Sequence, residues 1–278
     1  MDDPKLRARR SFALLALRRG DAIPLAEGAL LVGAEETPGL DVGEYLGRID
    51  TLADEIREAV DNAPGSLEAG LILLRFLHDV RGFQGSGEHY YDPRNSFLHE
   101  VLDRHQGIPI TLSILYMATA ERLGLDVEGI GLPGHFMVRL AQSGVYIDPF
   151  TGQGNLSRSD CAQRVRALYG DRVRLDDSMF AAQTNRQILT RLMANLREIY
   201  RSRNDHTRLV STLDRLILLN PEAPDLLRDR VRILTRQGQY RRALRDMDHL
   251  GELQPNIRHS ERYRGRRRFI RDMASRMN

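Results

Sequence analysis

The stretch from Gly107 to Gly124 limits more than any other what this chain can fold into. It opens on a Gly107-Ile108-Pro109 turn and runs through Ile110-Thr111-Leu112-Ser113 as a helix of small and apolar residues. Pro109 suits a first helical position, where a missing N–H costs little. Gly124 stands where a glycine closes a helix by taking the left-handed conformation. Three short apolar segments follow, Val127 to Gly131, Phe136 to Leu140 and Val145 to Ile147, separated by glycine and proline. They read as antiparallel strands with hairpin-type connections. A central helix followed by a small antiparallel sheet predicts an α+β core.

The chain before this core reads as helical. Phe12, Leu14, Leu15 and Leu17 form a short apolar helix ending at Gly20, and Leu25 to Glu36 form another behind Pro24. Asp41 caps a third, whose Tyr45, Leu46, Ile49, Leu52, Ala53, Ile56 and Val60 recur at spacings of three and four. Ser66, with Leu67 to Val80, gives a fourth. Gly82 to Ser96 reads as loop, and Phe97 to Arg104 as a short helix. Beyond the strands, Thr151 to Asn155 reads as a glycine-containing loop and Arg158 to Tyr169 as a helix.

From about Phe180 the pattern is helical only, and it repeats. Leu213-Asp214-Arg215-Leu216 to Asn220-Pro221 returns as Met247-Asp248-His249-Leu250 to Gln254-Pro255, a shift of 34 residues. That is the tetratricopeptide period. At this shift Tyr200 meets Leu234, Leu209 meets Ala243 and Leu216 meets Leu250. Two repeats bury little alone, so a closing helix is expected, with Tyr263, Ile270, Met273 and Met277 as its apolar stripe. The expected division is a domain over 1–178, with a helical part over 1–82 and a core over 83–178, then repeats over 179–278.

Composition narrows the function classes. Cys161 is the only cysteine, which excludes an internal disulfide and any multi-cysteine metal site. No run approaches the roughly 18 uncharged apolar residues of a membrane helix, and Met1-Asp2-Asp3-Pro4-Lys5 lacks the pattern of a secretory signal. A cytoplasmic protein with no membrane contact is expected. Lys5 is the only lysine, and a net charge of +3 does not by itself imply a polyanion partner. The last 23 residues carry eight arginines against Glu261 and Asp272, but no aromatic platform accompanies them. That run reads as a solvated terminal helix, with nucleic-acid binding as the alternative.

Asn95-Ser96-Phe97-Leu98, the Gly107 to Ser113 segment, Gly129-Ile130-Gly131-Leu132-Pro133-Gly134-His135-Phe136 and Tyr146-Ile147-Asp148-Pro149-Phe150 together resemble the SirB-type bacterial proteins. That family joins a transglutaminase-like domain to tetratricopeptide repeats. The resemblance implies a papain-like core, mostly helical, with the N-terminal helices packed against it and an all-α repeat region after it. In active transglutaminase-like enzymes a Cys at the start of the central helix is activated by the helix dipole and a His, which an Asp on the next strand orients. By that resemblance His135 matches the His and Asp148 the Asp. Fifteen residues separate the nucleophile from the glycine after the helix in that pattern, and counting back from Gly124 reaches Pro109. Proline offers no nucleophile.

Thr111 and Ser113 are the nearby hydroxyls, and both are retained as candidate nucleophiles. Thr111, two positions on, points about 200° from the starting face, while Ser113 lies one turn along, where a small residue packs beneath a site. Cys161 follows the Asp in the helix read over 158–169 and reads as a packing residue. His89, His99 and His105 fit no standard metal spacing. Arg94, Asn95 and Glu100 are candidates for a pocket rim or for loop capping.

These readings predict a non-catalytic transglutaminase-like protein that acts as a regulatory or scaffolding factor, binding a protein partner through its repeats, with no cofactor and no metal. The alternative is a hydrolase or transferase using His135 and Asp148 with a hydroxyl or an activated water. A weaker one is a nucleic-acid-associated protein working through the C-terminal arginines.

Overall fold

A computed structural model describes residues 3–87, 90–173 and 176–276. Its elements are α1 (Pro4–Ala16), α2 (Leu25–Glu36), α3 (Val42–Asp61), α4 (Ser66–Arg75), β1 (Gln84–Gly85), α5 (Leu98–Arg104), β2 (Gln106–Gly107) and α6 (Pro109–Arg122). Strands β3 (Val127–Leu132), β4 (His135–Leu140), β5 (Tyr146–Asp148) and β6 (Gln153–Leu156) follow, then α7 (Arg158–Tyr169), β7 (Ala182–Gln183) and α8 (Asn185–Ser202). The chain ends in α9 (His206–Leu219), α10 (Pro224–Arg236), α11 (Tyr240–Leu253) and α12 (Glu261–Arg276). This is the α+β, mostly helical architecture read from the sequence.

Chain contacts divide the molecule into two compact units, Met1–Asn195 and Leu196–Asn278. This division by contacts falls inside α8, and two features join the segment before it to the first unit. β7 pairs antiparallel with β3, Gly129 opposite Gln183 and Ile130 opposite Ala182. Early α8 then packs on the same sheet: Ile188 lies where a Cβ on Gly129 would stand, and Leu189, Leu192 and Met193 are fully buried. Helical periodicity alone does not reveal on which neighbour a helix packs.

In the first unit α6 is buried on almost every side, because only Glu121 and Arg122 among its residues are charged. Ile114, Leu115 and Tyr116 are fully buried. Each buried side chain of this size contributes about 1.5–3 kcal/mol. The Tyr116 hydroxyl donates to the Gly70 carbonyl at 2.8 Å, so the buried phenol is satisfied and ties α6 to α4. Helices α2, α3, α4 and α5 surround α6, and β3 and β4 cover it from another side. The sheet runs β6-β5-β4-β3-β7. Beneath it Ile130, Leu132, Met137 and Tyr146 pack with Cys161 and Val165 of α7 and with Phe180.

Three local differences from the sequence reading have physical causes. The helix read over 67–80 is α-helical to Arg75 and then makes a π turn over Phe76–Val80, where the Arg81 N–H donates to the Phe76 carbonyl at 2.9 Å. Residues 153–155, part of the segment read as loop, belong to strand β6, whose glycine and asparagine mask its pairing with β5. The first helix stops at Ala16, and Gly20–Ala22 form a separate 3-10 turn.

The second unit repeats the 34-residue shift in its backbone. Helices α9 and α11 occupy equivalent positions and are each 14 residues long. Leu209, Leu216, Ala243 and Leu250 are all buried, as are Tyr200 and Leu234. Helix α12 closes the unit by burying Ile270 fully, while the Tyr263 hydroxyl donates to the Met247 carbonyl at 2.7 Å. Met277, read as part of that stripe, lies outside the described residues.

Candidate functional site

His135 opens β4 and Asp148 closes β5, two antiparallel neighbours registered through Val138–Ile147 and Arg139–Tyr146. A register irregularity in the β5–β6 pairing falls between Tyr146 and Asp148, the kind of local kink that re-aims a side chain. The result brings His135 Nε2 to 2.9 Å from Asp148 Oδ2. The imidazole keeps 16% of its side chain exposed, and the carboxylate has none.

Four donors converge on that carboxylate. Oδ2 accepts from His135 Nε2, from the Thr151 hydroxyl at 2.8 Å and from Arg164 Nη1 at 2.7 Å. Oδ1 accepts from the Phe150 N–H at 3.1 Å. Burial alone would push the Asp148 carboxyl up, but the His135 hydrogen bond and charge, the Thr151 hydrogen bond and the Arg164 charge outweigh it and hold the group below the usual carboxylate range. Asp148 is therefore ionised near neutrality, and a carboxylate only accepts. Nε2 carries the proton by that inference, which leaves Nδ1 of a neutral ring as the acceptor.

The surroundings hold the histidine backbone as well. Arg191 of α8 donates to the His135 carbonyl at 2.8 Å and also to that of Leu132, fixing both ends of the β3–β4 turn. The Phe150 ring meets His135 edge-on, centroids 6.0 Å apart. Phe150 also lies over Gly85, where a Cβ would come within 2.5 Å of it. Gly85 is paired with Gly107 in the short parallel β1–β2 ladder just before α6, so this ring links the histidine to the start of the central helix.

At that helix start Pro109 occupies the first position and is buried. The fully buried Thr111 hydroxyl accepts from the Ile108 N–H at 3.0 Å and lies 2.8 Å from the Asn95 carbonyl. It caps the helix it belongs to. Ser113, also fully buried, directs its hydroxyl to the Phe136 carbonyl at 3.5 Å, beneath the sheet.

The remaining sequence candidates lie elsewhere. Cys161 packs under the sheet, and burial pushes its thiol up to about 11. His99 is buried against Thr37, with Nε2 3.2 Å from its hydroxyl, and burial lowers its pKa. The His105 ring lies 4.4 Å from that of Phe83. His89 lies outside the described residues. Asn95 is fully buried and accepts from Arg104 at 3.2 Å, so it lines no rim. Arg94 pairs locally with Asp92 at 2.6 Å, and the Glu100 carboxylate lies 4.0 Å from His99. Among the described residues no three His, Cys, Asp or Glu side chains group as a metal site would need. No helix among them is long and apolar enough to cross a membrane.

Two members of the cluster escaped the sequence reading, Thr151 and Arg164. Thr151 stands three residues after the aspartate, a spacing at which a hydroxyl reaches back to a carboxylate. Arg164 is one of 40 arginines, and nothing local marks it as the one that meets Asp148.

Comparison with known proteins agrees with this architecture. Residues 43–194 match the family described as the transglutaminase-like superfamily, and residues 196–275 match tetratricopeptide repeat. A UPF0162 protein of Xylella fastidiosa (strain 9a5c) is 33% identical over 260 residues, covering 90% of this chain and 91% of that protein. One from Pseudomonas aeruginosa is 30% identical over 197 residues, 71% of this chain and 72% of its own length. Human F-box only protein 21 is 28% identical over 164 residues, 54% of this chain but only 25% of that larger protein. The chain therefore belongs to the transglutaminase-like superfamily, alongside the UPF0162 proteins, with tetratricopeptide repeats following the superfamily domain.

Proposed function

We propose that this protein is a non-catalytic member of its superfamily, a regulatory or scaffolding factor that binds a protein partner through its repeats. The SirB-type likeness and a cytoplasmic location belong to the same proposal. The observation that carries it is the start of α6. The position matched to the nucleophile is Pro109, and both nearby hydroxyls, Thr111 and Ser113, are buried and directed at backbone carbonyls. On this reading His135 and Asp148 hold the neighbouring strands β4 and β5 together. The four donors on the buried carboxylate offset a desolvation cost of several kcal/mol and make the cluster a structural clasp.

One observation favours the alternative of a hydrolase or transferase. The Asp148 contact leaves Nδ1 of a partly exposed His135 as an acceptor, the arrangement a general base for water needs. His135→Ala separates the two readings. Affinity capture with the full chain retains its partner in the variant if the protein is an interaction factor, and a chain shortened after Ser202 loses it. Hydrolysis or acyl transfer by the wild type that His135→Ala abolishes would establish the enzymatic reading instead.

A further inference from the structure

Within the second unit, α10 and α12 leave a cleft of about 230 Å³ above α11. Its floor is apolar, formed by Val231, Met247 and Leu250. Its walls are cationic, with Arg232 from α10 and Arg262 and Arg266 from α12. Arg266 is half-buried, and besides burial the charges of Arg232, Arg262 and Arg236 hold it below the ordinary guanidinium range. The nearest acid to Arg232 is Asp229 at 3.8 Å, and that carboxylate already accepts from Arg201 at 2.7 Å and from Arg197. Three like charges, Arg232, Arg262 and Arg266, thus line an apolar floor with little neutralisation, and Arg236 adds to the positive field at Arg266, a setting that favours an anion.

We infer that this cleft binds an acidic peptide segment of a protein partner, with its carboxylates on Arg232, Arg262 and Arg266 and one apolar side chain on the Val231, Met247 and Leu250 floor. The inference rests on the interaction reading above and names the chemistry of the partner. Guanidinium pairs carboxylate bidentately, which favours glutamate or aspartate at the walls. The volume lies below the roughly 300–1,000 Å³ of small-molecule pockets, and it suits one side chain of a segment lying across the opening. A nucleic acid fits less well because the ring in the lining, Tyr263, is packed over Gly251 and tied to the Met247 carbonyl. It offers no stacking face.

The test uses the full chain and fluorescein-labelled peptides read by fluorescence anisotropy. The probes are Glu-Glu-Leu-Glu-Glu, its Gln-Gln-Leu-Gln-Gln counterpart and Glu-Glu-Ala-Glu-Glu. The acidic leucine peptide binds with an affinity that falls as salt rises, the glutamine peptide at least ten-fold more weakly, and the alanine peptide several-fold more weakly. R262E/R266E loses at least ten-fold in affinity for the acidic leucine peptide, and the gentler R262Q/R266Q loses several-fold, with thermal melts confirming that each is folded. R264E/R268E makes the same charge change at exposed positions outside the lining and binds within two-fold of wild type. Equal losses in the two glutamate pairs, no binding by the wild type, or tighter binding of a ten-residue oligothymidylate would overturn the inference. Partner capture that depends on the repeats and survives in R262E/R266E would sink the cleft alone and leave the interaction reading standing. Absence of any such capture would sink that reading too.

Discussion

Asn204 and Gly238 hold the same left-handed backbone conformation one repeat apart, at φ 54° and 72°. Each ends the turn between paired helices. The following N–H reaches back in the same way, from Asp205 to the Tyr200 carbonyl and from Gln239 to the Leu234 carbonyl, both at 2.9 Å. Asparagine tolerates this conformation and glycine adopts it freely. Gly238→Ala is expected to destabilise the protein by about 1–2 kcal/mol, since alanine pays the left-handed penalty. Asn204→Gly is expected to be close to neutral, because relieved strain is offset by greater freedom of the unfolded chain. Urea unfolding measures both, and an alanine that costs nothing at 238 would contradict the shared geometry.

That pair also shows why the repeats were legible in the sequence. A 34-residue shift brings hydrophobic residues, helix ends and turn residues into register together, and each level supports the others. Strands β6 and β7 had no such support. Gln153-Gly154-Asn155-Leu156 and Ala182-Gln183 are strands because neighbours pair with them: Gly154 and Asn155 favour turns, and Ala182-Gln183 lack the β-branched and aromatic residues that mark a strand. The π turn at Phe76–Val80 is equally silent, since one inserted residue leaves the local apolar pattern helical.

Thr111 is expected to matter for stability. Thr111→Val keeps the shape but leaves the buried Ile108 N–H without its hydroxyl acceptor and the Asn95 carbonyl without that donor. An unsatisfied buried group costs about 1–3 kcal/mol, so a loss of about 2 kcal/mol is expected in chemical denaturation. Binding of the protein partner should be unchanged in the folded variant. A Thr111→Val protein as stable as wild type would contradict the capping role.

For the candidate site, His135 and Asp148 were named by the resemblance that their two segments carry, and their meeting follows from the pairing of consecutive strands β4 and β5. The other half of the cluster depends on α7 crossing beneath the sheet, which brings Arg164 to a carboxylate 16 residues earlier. No short-range pattern encodes that meeting. Pro109 was matched for the opposite reason, since the resembled pattern places its position within one helix, a count back from Gly124.

Cys161 gives a simple chemical test of the core. Its thiol is fully buried and pushed up to about 11, so at pH 8 almost no reactive thiolate is present and a reagent has no path to it. An Ellman's assay on the native protein is expected to show no fast-reacting thiol. One equivalent should react in seconds to minutes once the chain is unfolded in guanidinium chloride. Stoichiometric labelling of the folded protein would contradict the packing beneath the sheet.

Asp148 makes stability depend on acid in a way that can be assigned to one group. Its folded-state pKa is lowered, so its contribution is fully present above the unfolded carboxyl value of about 3.9 and is lost as pH falls through the folded value. Thermal stability of the wild type is expected to decline more steeply below about pH 4 than that of Asp148→Asn, which has no charge to lose there. At neutral pH the wild type is the more stable of the two, because the ionised carboxylate keeps its charged partners. Arg164→Ala is expected to cost more than an ordinary surface arginine, about 2–3 kcal/mol, because it takes one charged donor from a buried carboxylate. His135→Ala should cost a similar amount by removing another. The decisive comparison is the double variant His135→Ala/Arg164→Ala. If the two donors act on one carboxylate, their effects are non-additive, and the coupling shrinks toward zero when Asp148→Asn is introduced as a third change. Additive effects throughout would mean that His135 and Arg164 stabilise the fold through separate contacts, and the clasp would then not exist.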